Sequence, residues 1–239
     1  MYSQLRKLYR KLVPIYFRQK IKDKQEINKH RLLIKEKGHI YSRFYNSKSI
    51  FIHIPKAGGI SILKSLYGQD VNGFGHPTYR RFLNMFGRHD FNSFYKFTFV
   101  RNPWDRTLSA YQFLKRGGMH HLDKKFCDDV LAQYETFDDF VLNGLTLENA
   151  NNWVHFIPQY LYVYDKELNL KVDFIGRFEE FSHDFETVRN TIGVGSALVH
   201  LNKTQDKKHI NYREYYTPEM IEVINQIYKE DIKLFNYQF

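Results

Sequence analysis

The stretch FIHIPKAGGIS, from Phe51 to Ser61, constrains the fold more than any other part of the chain. It starts with an apolar run typical of a buried strand, passes through a turn with two glycines, and ends at the predicted start of a helix. A strand that enters a helix through such a turn directs unpaired backbone N–H groups toward one point, where the helix dipole adds positive charge. The stretch therefore predicts a strand–turn–helix unit of an α/β fold, with an anion site at the turn.

The rest of the chain continues the alternation of strands and helices, which is typical of a central parallel sheet flanked by helices. Strands are predicted at 50–54, 95–100, 161–164 and 172–175. Helices are predicted at 60–67, 103–115, 126–143 in two pieces, 181–191 and from 218 toward the C-terminus. Because no linker interrupts residues 46–239, we expect them to form one α/β domain.

Residues 1–45 differ from the rest because they are dense in lysine and arginine, with apolar residues between them at helical spacing. This pattern predicts a basic amphipathic helical extension, which suits an anionic membrane surface, packing on the domain, or packing on a second copy in a homodimer. No run of about eighteen apolar residues occurs, so no segment is expected to span a membrane. With one cysteine, Cys127, the composition favours a cytoplasmic location, at the inner face of the membrane if the extension binds lipid.

The formal net charge of +10, from 36 Lys and Arg against 26 Asp and Glu, indicates an anionic partner. Nucleic acid, an acidic glycan, an acidic membrane and a nucleotide all satisfy that requirement. No RRM, KH or helix-turn-helix signature occurs, so a nucleic-acid partner is not expected. The His, Cys and acidic residues lack zinc-like or EF-hand spacing, so no metal is expected either.

The turn after the first strand carries residue types that bind phosphate. Gly58 and Gly59 let the backbone approach a phosphate closely. Lys56 adds a full positive charge, and Ser61 adds a hydroxyl donor. An ordinary β–α turn with a solvent-facing lysine is the alternative. The predicted phosphate contacts of this loop are Lys56, Ala57, Gly58, Gly59, Ile60 and Ser61.

A second phosphate-type cluster occurs in FVRNPWDRTLSAY, residues 99–111, where a buried strand again leads into a helix. Arg101 stands at the carboxyl end of that strand, which is where open α/β sheets bind ligands. Ser109 follows about two helical turns later, so both are predicted to hold a second phosphate, with a bidentate contact from the arginine. Trp104 and Arg106 are interpreted as packing and surface charge. Two such clusters on neighbouring strands predict a ligand that is phosphorylated at two separate places.

Both stretches resemble motifs of sulfotransferases that use 3′-phosphoadenosine 5′-phosphosulfate (PAPS). IPKAGGIS resembles their 5′-phosphosulfate loop, and VRNPWDRTLSAY resembles their 3′-phosphate motif, which usually has Asp where Asn102 stands. The Lys-x-Gly-Gly order is similar to that of the carbohydrate group, which includes heparan-sulfate 2-O- and chondroitin-type enzymes; Ala57 stands where Thr is usual. The resemblance covers about residue 48 to the C-terminus. It implies a three-layer P-loop-like fold, PAPS as co-substrate without a metal, and a carbohydrate acceptor, with acidic and lipid-linked acceptors both compatible.

The segment GFGHPTYRRF, residues 73–82, resembles the segment that carries the catalytic histidine of the 2-O-type enzymes. Histidine suits a general base because its unperturbed pKa is near 6.5, and a positioned base contributes about 10²–10⁴-fold. The resemblance implies that His76 is the base and that Lys56 stabilises the leaving phosphate. A second histidine often stands two residues earlier, where this chain has Phe74. A surface histidine is the alternative interpretation of His76.

Two further segments resemble features of the same family. WVHFIPQY, residues 153–160, is similar to a His-x-x-Pro-Gln segment, which implies that His155 and Gln159 touch the acceptor or orient the site. An aromatic packing turn is the alternative for that segment. The basic loop 200–213 is similar to a loop that closes over the nucleotide, with a solvated charge run as the alternative. Its candidate nucleotide contacts are Lys203, Thr204, Lys207 and Arg213.

The expected function is therefore in-line transfer of a sulfuryl group from PAPS to a carbohydrate hydroxyl. A nucleotide-dependent kinase of P-loop type is the first alternative, but the chain lacks G-x-x-x-x-G-K-[ST], in which the lysine follows the glycines. A non-catalytic protein that binds acidic polymers is the second alternative. Such a protein would not need His76, and it would lose affinity steeply with salt.

Overall fold

The computed structural model describes residue 25 and residues 27–71, 74–198 and 211–239. The apolar stripe that the sequence predicts before residue 17 lies outside these residues, as do Lys203, Thr204 and Lys207. Residues 27–33 are helical, and the Arg31 side chain donates hydrogen bonds to the carbonyl oxygens of Asn84 (2.8 Å) and Met85 (3.2 Å). The described part of the basic extension therefore packs on the domain.

Three parallel strands form the central sheet of the described residues: β1 (Ser49–Ile52), β2 (Tyr95–Val100) and β3 (Phe174–Arg177), in that order. The middle strand β2 places Lys96 opposite Ile50 and Val100 opposite Arg177. Every residue of β1 is buried, as expected for a parallel strand in a sheet covered by helices. The predicted α/β class with a central parallel sheet flanked by helices is confirmed.

Helices flank this sheet, and most of them form where the sequence predicts helices. The strand predicted at 95–100 and the helix predicted at 103–115 form with the predicted bounds. The helices are α1 (Ile40–Asn46), α2 (Gly59–Tyr67), α3 (Tyr79–Phe86), α4 (Arg88–Ser93), α5 (Pro103–Lys115), α6 (His121–Asp129), α7 (Phe137–Asp139), α8 (Leu147–Asn152), α9 (Tyr160–Val163), α10 (Phe181–Ile192), α11 (Pro218–Ile227) and α12 (Lys229–Leu234). Short 3-10 turns cover Leu131–Gln133 and Tyr212–Tyr215, and a π-helical turn covers Phe140–Gly144.

One predicted strand, 161–164, does not form: residues 161–163 belong to helix α9, and Tyr164 forms an isolated bridge with Leu170. The reason is a contact that is distant in sequence. The buried Asp231 carboxylate accepts hydrogen bonds from the backbone N–H groups of Gln159 and Tyr160, both at 2.8 Å. A carboxylate at these N–H groups stabilises the start of a helix, and no local sequence pattern reveals it.

Two other predicted elements form at shifted positions. The strand predicted at 172–175 forms as β3 two residues later, where a Cβ on Gly176 would lie 2.6 Å from the Phe99 ring. The helical region predicted at 126–143 begins earlier, with α6. That earlier start is fixed by the Asp123 carboxylate, which accepts hydrogen bonds from the backbone N–H groups of Met119 and His120.

Aromatic rings fill the core between α1 and the sheet. Phe44 of α1 is fully buried and lies 5.4 Å from the Phe74 ring and 6.0 Å from the Phe82 ring. The packed domain therefore includes residues before 46. Among the described helices, none is long and apolar enough to cross a bilayer. The carboxyl ends of β1 and β2 lie at one edge of the sheet, and the candidate site is built on the loops that follow them.

Candidate active site

The glycine turn after β1 is shaped by its neighbours as well as by its backbone. Gly58 has φ = 80°, in the left-handed region that favours glycine, and a Cβ there would lie 2.5 Å from the Phe181 ring. A Cβ on Gly59 would lie 2.0 Å from the His53 ring. Gly58 also provides no side chain to cap the first N–H groups of α2. Both glycines are thus needed for packing, and they leave backbone donors at the helix start, as the phosphate-loop prediction requires.

Lys56 connects this loop to its surroundings through both its backbone and its side chain. Its φ of 68° is unusual for a residue with a side chain and marks a tightly constrained turn. The Lys56 carbonyl oxygen accepts a hydrogen bond from Nη1 of Arg101 at 3.2 Å. Its Nζ lies 3.9 Å from the centroid of the Phe113 ring on α5. The two predicted phosphate clusters therefore meet at Lys56. Ser61 and Ala57 are buried beside it, and Ile60 is half-buried.

Arg101 follows β2 directly, as predicted, and its guanidinium is held by an acidic neighbour. Nε and Nη2 donate to the two carboxylate oxygens of Asp105 at 2.7 and 2.8 Å, and the group lies 4.1 Å from the Phe178 ring centroid. Ser109 is half-buried farther along α5, and none of the described contacts of Arg101 goes to it. Shared phosphate binding by Arg101 and Ser109 stays a prediction.

Gln159 is fully buried, and its side-chain amide pairs with the backbone of Arg101. Its Oε1 accepts a hydrogen bond from the Arg101 N–H at 2.9 Å, and its Nε2 donates to the Arg101 carbonyl oxygen at 2.8 Å. Both ends of the amide are therefore used to hold the backbone of Arg101. Contact with the acceptor and orientation of the site both stay predictions for Gln159.

Arg106 is a buried connector, which corrects its interpretation as surface charge. Its side chain is inside the protein and donates to the carbonyl oxygens of Pro55 (3.0 Å), His155 (3.1 Å) and Ile157 (2.9 Å). Those bonds connect Pro55, at the start of the glycine turn, to the turn that carries His155. The signal was present in the helical spacing, because Arg106 lies three residues after Pro103 and four before Ala110, both of which are buried.

Three histidines, His53, His76 and His155, lie close together beside the glycine turn. The ring centroids of His53 and His76 are 4.4 Å apart, and those of His76 and His155 are 6.3 Å apart. His76 Nδ1 donates to the backbone carbonyl oxygen of His53 at 3.1 Å. Because a carbonyl oxygen only accepts, the neutral His76 ring carries its hydrogen on Nδ1 and leaves a lone pair on Nε2. His53 is a site residue that the sequence analysis did not identify.

Burial keeps this histidine cluster uncharged near neutral pH. It lowers the pKa of His76 to about 4 and that of His155 to about 4, and it lowers the pKa of His53 well below its ordinary value. The positive charge of Lys56 acts in the same direction on all three, and Arg106 does so on His76 and His155. A neutral imidazole with a free Nε2 lone pair is the form that a general base requires.

Arg213 lies in the 3-10 turn before α11, and its side chain is exposed. Its guanidinium lies 4.7 Å from the Tyr212 ring centroid and 5.8 Å from that of Phe239. The hydroxyl of Tyr216 donates to the carbonyl oxygen of Trp104 at 2.7 Å, so this segment packs on the start of α5, close after Arg101. The nucleotide contact of Arg213 stays a prediction. Among the described residues, no group of three or more His, Cys, Asp or Glu is arranged to hold a metal ion.

The chain belongs to the sulfotransferase family, since the model of that family matches residues 45–238. The match covers the glycine turn, the histidine cluster and Arg101. A curated protein of Archaeoglobus fulgidus, described as an uncharacterized protein, is 32% identical over 134 residues, which span 55% of this chain and 92% of the relative. No solved structure shows a significant match to the chain.

Proposed function

We propose that the protein transfers a sulfuryl group from PAPS to a hydroxyl group of a carbohydrate, with His76 as the general base. One observation carries the proposal. His76 is held through Nδ1 by the His53 carbonyl oxygen, which leaves the lone pair on Nε2, and the ring of the same His53 packs against Gly59 of the glycine turn. A base and an anion-binding turn in one packed unit are what sulfuryl transfer from a phosphosulfate requires.

The two ends of the donor fit the two loops. The 5′-phosphosulfate would accept hydrogen bonds from the N–H groups at the start of α2 and from the Ser61 hydroxyl, with Lys56 supplying charge. The 3′-phosphate would bind Arg101 and Ser109, with Arg213, Lys203 and Thr204 as further contacts. Arg101 would then exchange part of its pairing with Asp105 for the phosphate. The hydrogen bond of 3.2 Å from the Arg101 side chain to the Lys56 carbonyl oxygen supports this arrangement, because it joins the two loops that would bind the donor.

The reaction follows from these positions. The acceptor hydroxyl loses its proton to Nε2 of His76 while its oxygen attacks sulfur. The bond between sulfur and the bridging oxygen of the 5′-phosphate breaks in line with that attack. Charge then develops on the leaving phosphate, and Lys56 and the N–H groups of α2 stabilise it. The products are a sulfated acceptor, adenosine 3′,5′-bisphosphate and one proton on His76.

A carbohydrate acceptor is supported by the similarity of the loop order to the carbohydrate group and by the net charge of +10, which suits an acidic saccharide. The carbohydrate group itself is part of the proposal, as is a cytoplasmic location. Contact with a membrane or with a second copy would involve the basic extension, most of which lies outside the described residues. A lipid-linked saccharide is the acceptor that such membrane contact would favour.

Transfer of labelled sulfate from PAPS tests the proposal directly. Wild-type protein is incubated with labelled PAPS and with an acidic polysaccharide, a neutral polysaccharide, a lipid-linked saccharide, a phenol or a simple alcohol. Labelled sulfate in a saccharide, with none in the phenol or alcohol, supports the proposed acceptor class. Transfer only to the phenol or alcohol contradicts it. A parallel incubation with labelled ATP tests the kinase alternative, which predicts labelled phosphate in a product.

A further inference from the structure

A carboxylate next to the histidine cluster has no role in the chemistry given above. Asp123 lies in the first turn of α6, and its side chain is 12% exposed. Oδ2 accepts hydrogen bonds from the backbone N–H groups of Met119 (2.9 Å) and His120 (3.2 Å). Oδ1 lies 3.8 Å from Nε2 of His155. One oxygen therefore anchors the carboxylate to its own backbone, and the other faces an imidazole.

The backbone around Asp123 is built to keep the carboxylate in this position. Gly118 has φ = 64°, and a Cβ there would lie 2.1 Å from the Cβ of Asp123. On the other side, His155 is held by its carbonyl oxygen, which accepts a hydrogen bond from Arg106 at 3.1 Å. The His155 ring also packs 5.3 Å from the Phe113 ring. Both partners of the contact are thus fixed independently of each other.

Asp123 differs in the sign of its charge from the cations that face the histidine cluster. In the described part of the chain, Lys56 and Arg106 are the cations that act on His76 and His155, and Asp123 is the carboxylate that acts on both. His53, the third ring, is neutral. The strongest of these charge effects disfavours a proton on His76, where it comes from Arg106, and favours a proton on His155, where it comes from Asp123.

Sulfuryl transfer delivers one proton to His76 in each turnover, and that proton must leave before the next acceptor can react. The His76 Nδ1–H is already committed to the His53 carbonyl, so the transferred proton sits on Nε2. His53 is the nearer imidazole, but its side chain is buried, whereas His155 faces the Asp123 carboxylate. With Nε2–H toward Asp123, the Nδ1 of His155 has a lone pair. The 6.3 Å between the two ring centroids suits transfer through one water molecule.

We propose that Asp123 and His155 form a second acid–base pair, which receives the proton that His76 takes from the acceptor. The inference rests on the proposed function. The proton passes from Nε2 of His76 through one water to Nδ1 of His155, and the protonated His155 is stabilised by Asp123. It then leaves to solvent or buffer, so both imidazoles return to their neutral form. Asp123 is a positioning residue in this scheme because it acts through His155.

Titration of the histidine side chains by NMR tests the pairing without an acceptor. Asp123→Asn keeps an oxygen for a backbone N–H group but removes the charge, so the pKa of His155 should fall further, and that of His76 should fall by a smaller amount. Asp128→Asn is the matched control, because Asp128 lies on the same helix and pairs with the exposed Lys124. An unchanged His155 titration in Asp123→Asn overturns the proposal.

Kinetics on the acceptor identified by the transfer assay test the relay. His155→Gln should lower kcat by roughly tenfold or more, less than the loss of a direct base, and imidazole in the buffer should restore part of the rate. Binding of adenosine 3′,5′-bisphosphate should stay unchanged, which shows that the variant is folded. A wild-type kcat in His155→Gln, or no response to imidazole, overturns the relay. If wild-type protein does not bind the bisphosphate, the proposed function fails instead, and the NMR titration still reports on the pair.

Discussion

The imidazole of His76 donates a hydrogen bond from Nδ1 to the backbone carbonyl oxygen of His53 at 3.1 Å. That bond ties the candidate base to the residue that directly follows β1. The His53 ring in turn fills the space beside Gly59, where a Cβ would lie 2.0 Å away. The candidate base and the glycine turn therefore both contact His53, the first through its backbone and the second through its ring.

Removal of the His76 imidazole should abolish transfer and spare donor binding. We expect His76→Ala to lower kcat by about 10²–10⁴-fold, which is the contribution of a positioned base. Its affinity for adenosine 3′,5′-bisphosphate, measured by calorimetry, should stay at the wild-type value. His89→Ala is the control, because that ring is exposed and pairs with Asp90. Wild-type turnover in His76→Ala would reject His76 as the base.

The histidine cluster predicts that acid destabilises the fold. Burial lowers the pKa of His53, His76 and His155, so below pH 6.5 the unfolded chain binds protons that the folded chain does not. The free energy of unfolding should therefore decrease as the pH falls from 6.5 toward 4, by up to about 1.4 kcal/mol per pH unit for each histidine. Asp231 acts in the opposite direction: burial raises its pKa to about 6, so its contribution is present at low pH and is lost as the pH rises through that value.

Urea titrations at about pH 7 and about pH 5 measure the net change in the free energy of unfolding. The three histidines lower it at the acid pH, and Asp231 raises it. The net result should be lower stability at the acid pH. His155→Gln should reduce the difference between the two pH values, whereas His89→Gln should leave it unchanged. Stability that is equal or greater at pH 5 would show that the histidines are not neutral in the fold.

Alanine at Gly59 should destabilise the protein, although alanine usually stabilises a helix relative to glycine by about 0.5–1 kcal/mol. The new Cβ would meet the His53 ring, and overpacking of this kind costs about 1–3 kcal/mol. The double variant Gly59→Ala/His53→Ala removes the clash and should be less destabilised than the sum of the two single variants. Additive losses of unfolding free energy in this cycle would mean that no steric clash occurs between the new Cβ and the His53 ring.

Asp is usual at position 102 in the family that the motif resembles, yet Asn102→Asp should destabilise this chain. The buried Asn102 uses Oδ1 to cap α5 at the Trp104 N–H (3.1 Å) and Nδ2 to donate to the Gln238 carbonyl oxygen (2.9 Å). Aspartate keeps the cap but turns an acceptor toward that carbonyl, which should lower the free energy of unfolding by about 1–3 kcal/mol.

Asn152→Asp is the control for this substitution, because the exposed Asn152 amide donates to the Glu148 carbonyl oxygen in the same way. Loss of an exposed bond should cost less than loss of the buried one. Denaturant unfolding compares the two variants. An equal or greater stability of Asn102→Asp would mean that the bond to Gln238 contributes nothing.

The sequence predicted elements well where the signals are local. The apolar run of β2, followed by Asn102 and Pro103, marks a strand end and a helix start within a few residues, and both formed with the predicted bounds. Helix α9 could not be predicted in this way. Its start depends on a buried carboxylate about seventy residues later in the chain, and its own residues, YLYV, are aromatic and apolar types that are common in strands.

The residues of the candidate site fall into the same two groups, those marked by a local motif and those that depend on distant contacts. The glycine turn, Arg101 and His76 have local motifs, so the sequence placed them. His53, Arg106 and Asp123 acquire their roles only through packing: a ring against a glycine, a guanidinium on three carbonyl oxygens, and a carboxylate facing an imidazole. Such roles depend on which loops meet in space, which composition and spacing do not encode.

Binding of adenosine 3′,5′-bisphosphate, compared with AMP by calorimetry at moderate salt, tests the central claim most directly, because it needs no acceptor. The claim predicts that the bisphosphate binds about tenfold or more tightly than AMP, as one charged hydrogen-bond contact to the 3′-phosphate would give. That preference should disappear in Arg101→Ala and persist in Arg189→Ala, whose arginine pairs with Glu186 on α10. Equal affinity for the bisphosphate and AMP in the wild-type protein would contradict the claim, since the two loops would then not form a site for a donor phosphorylated at both positions.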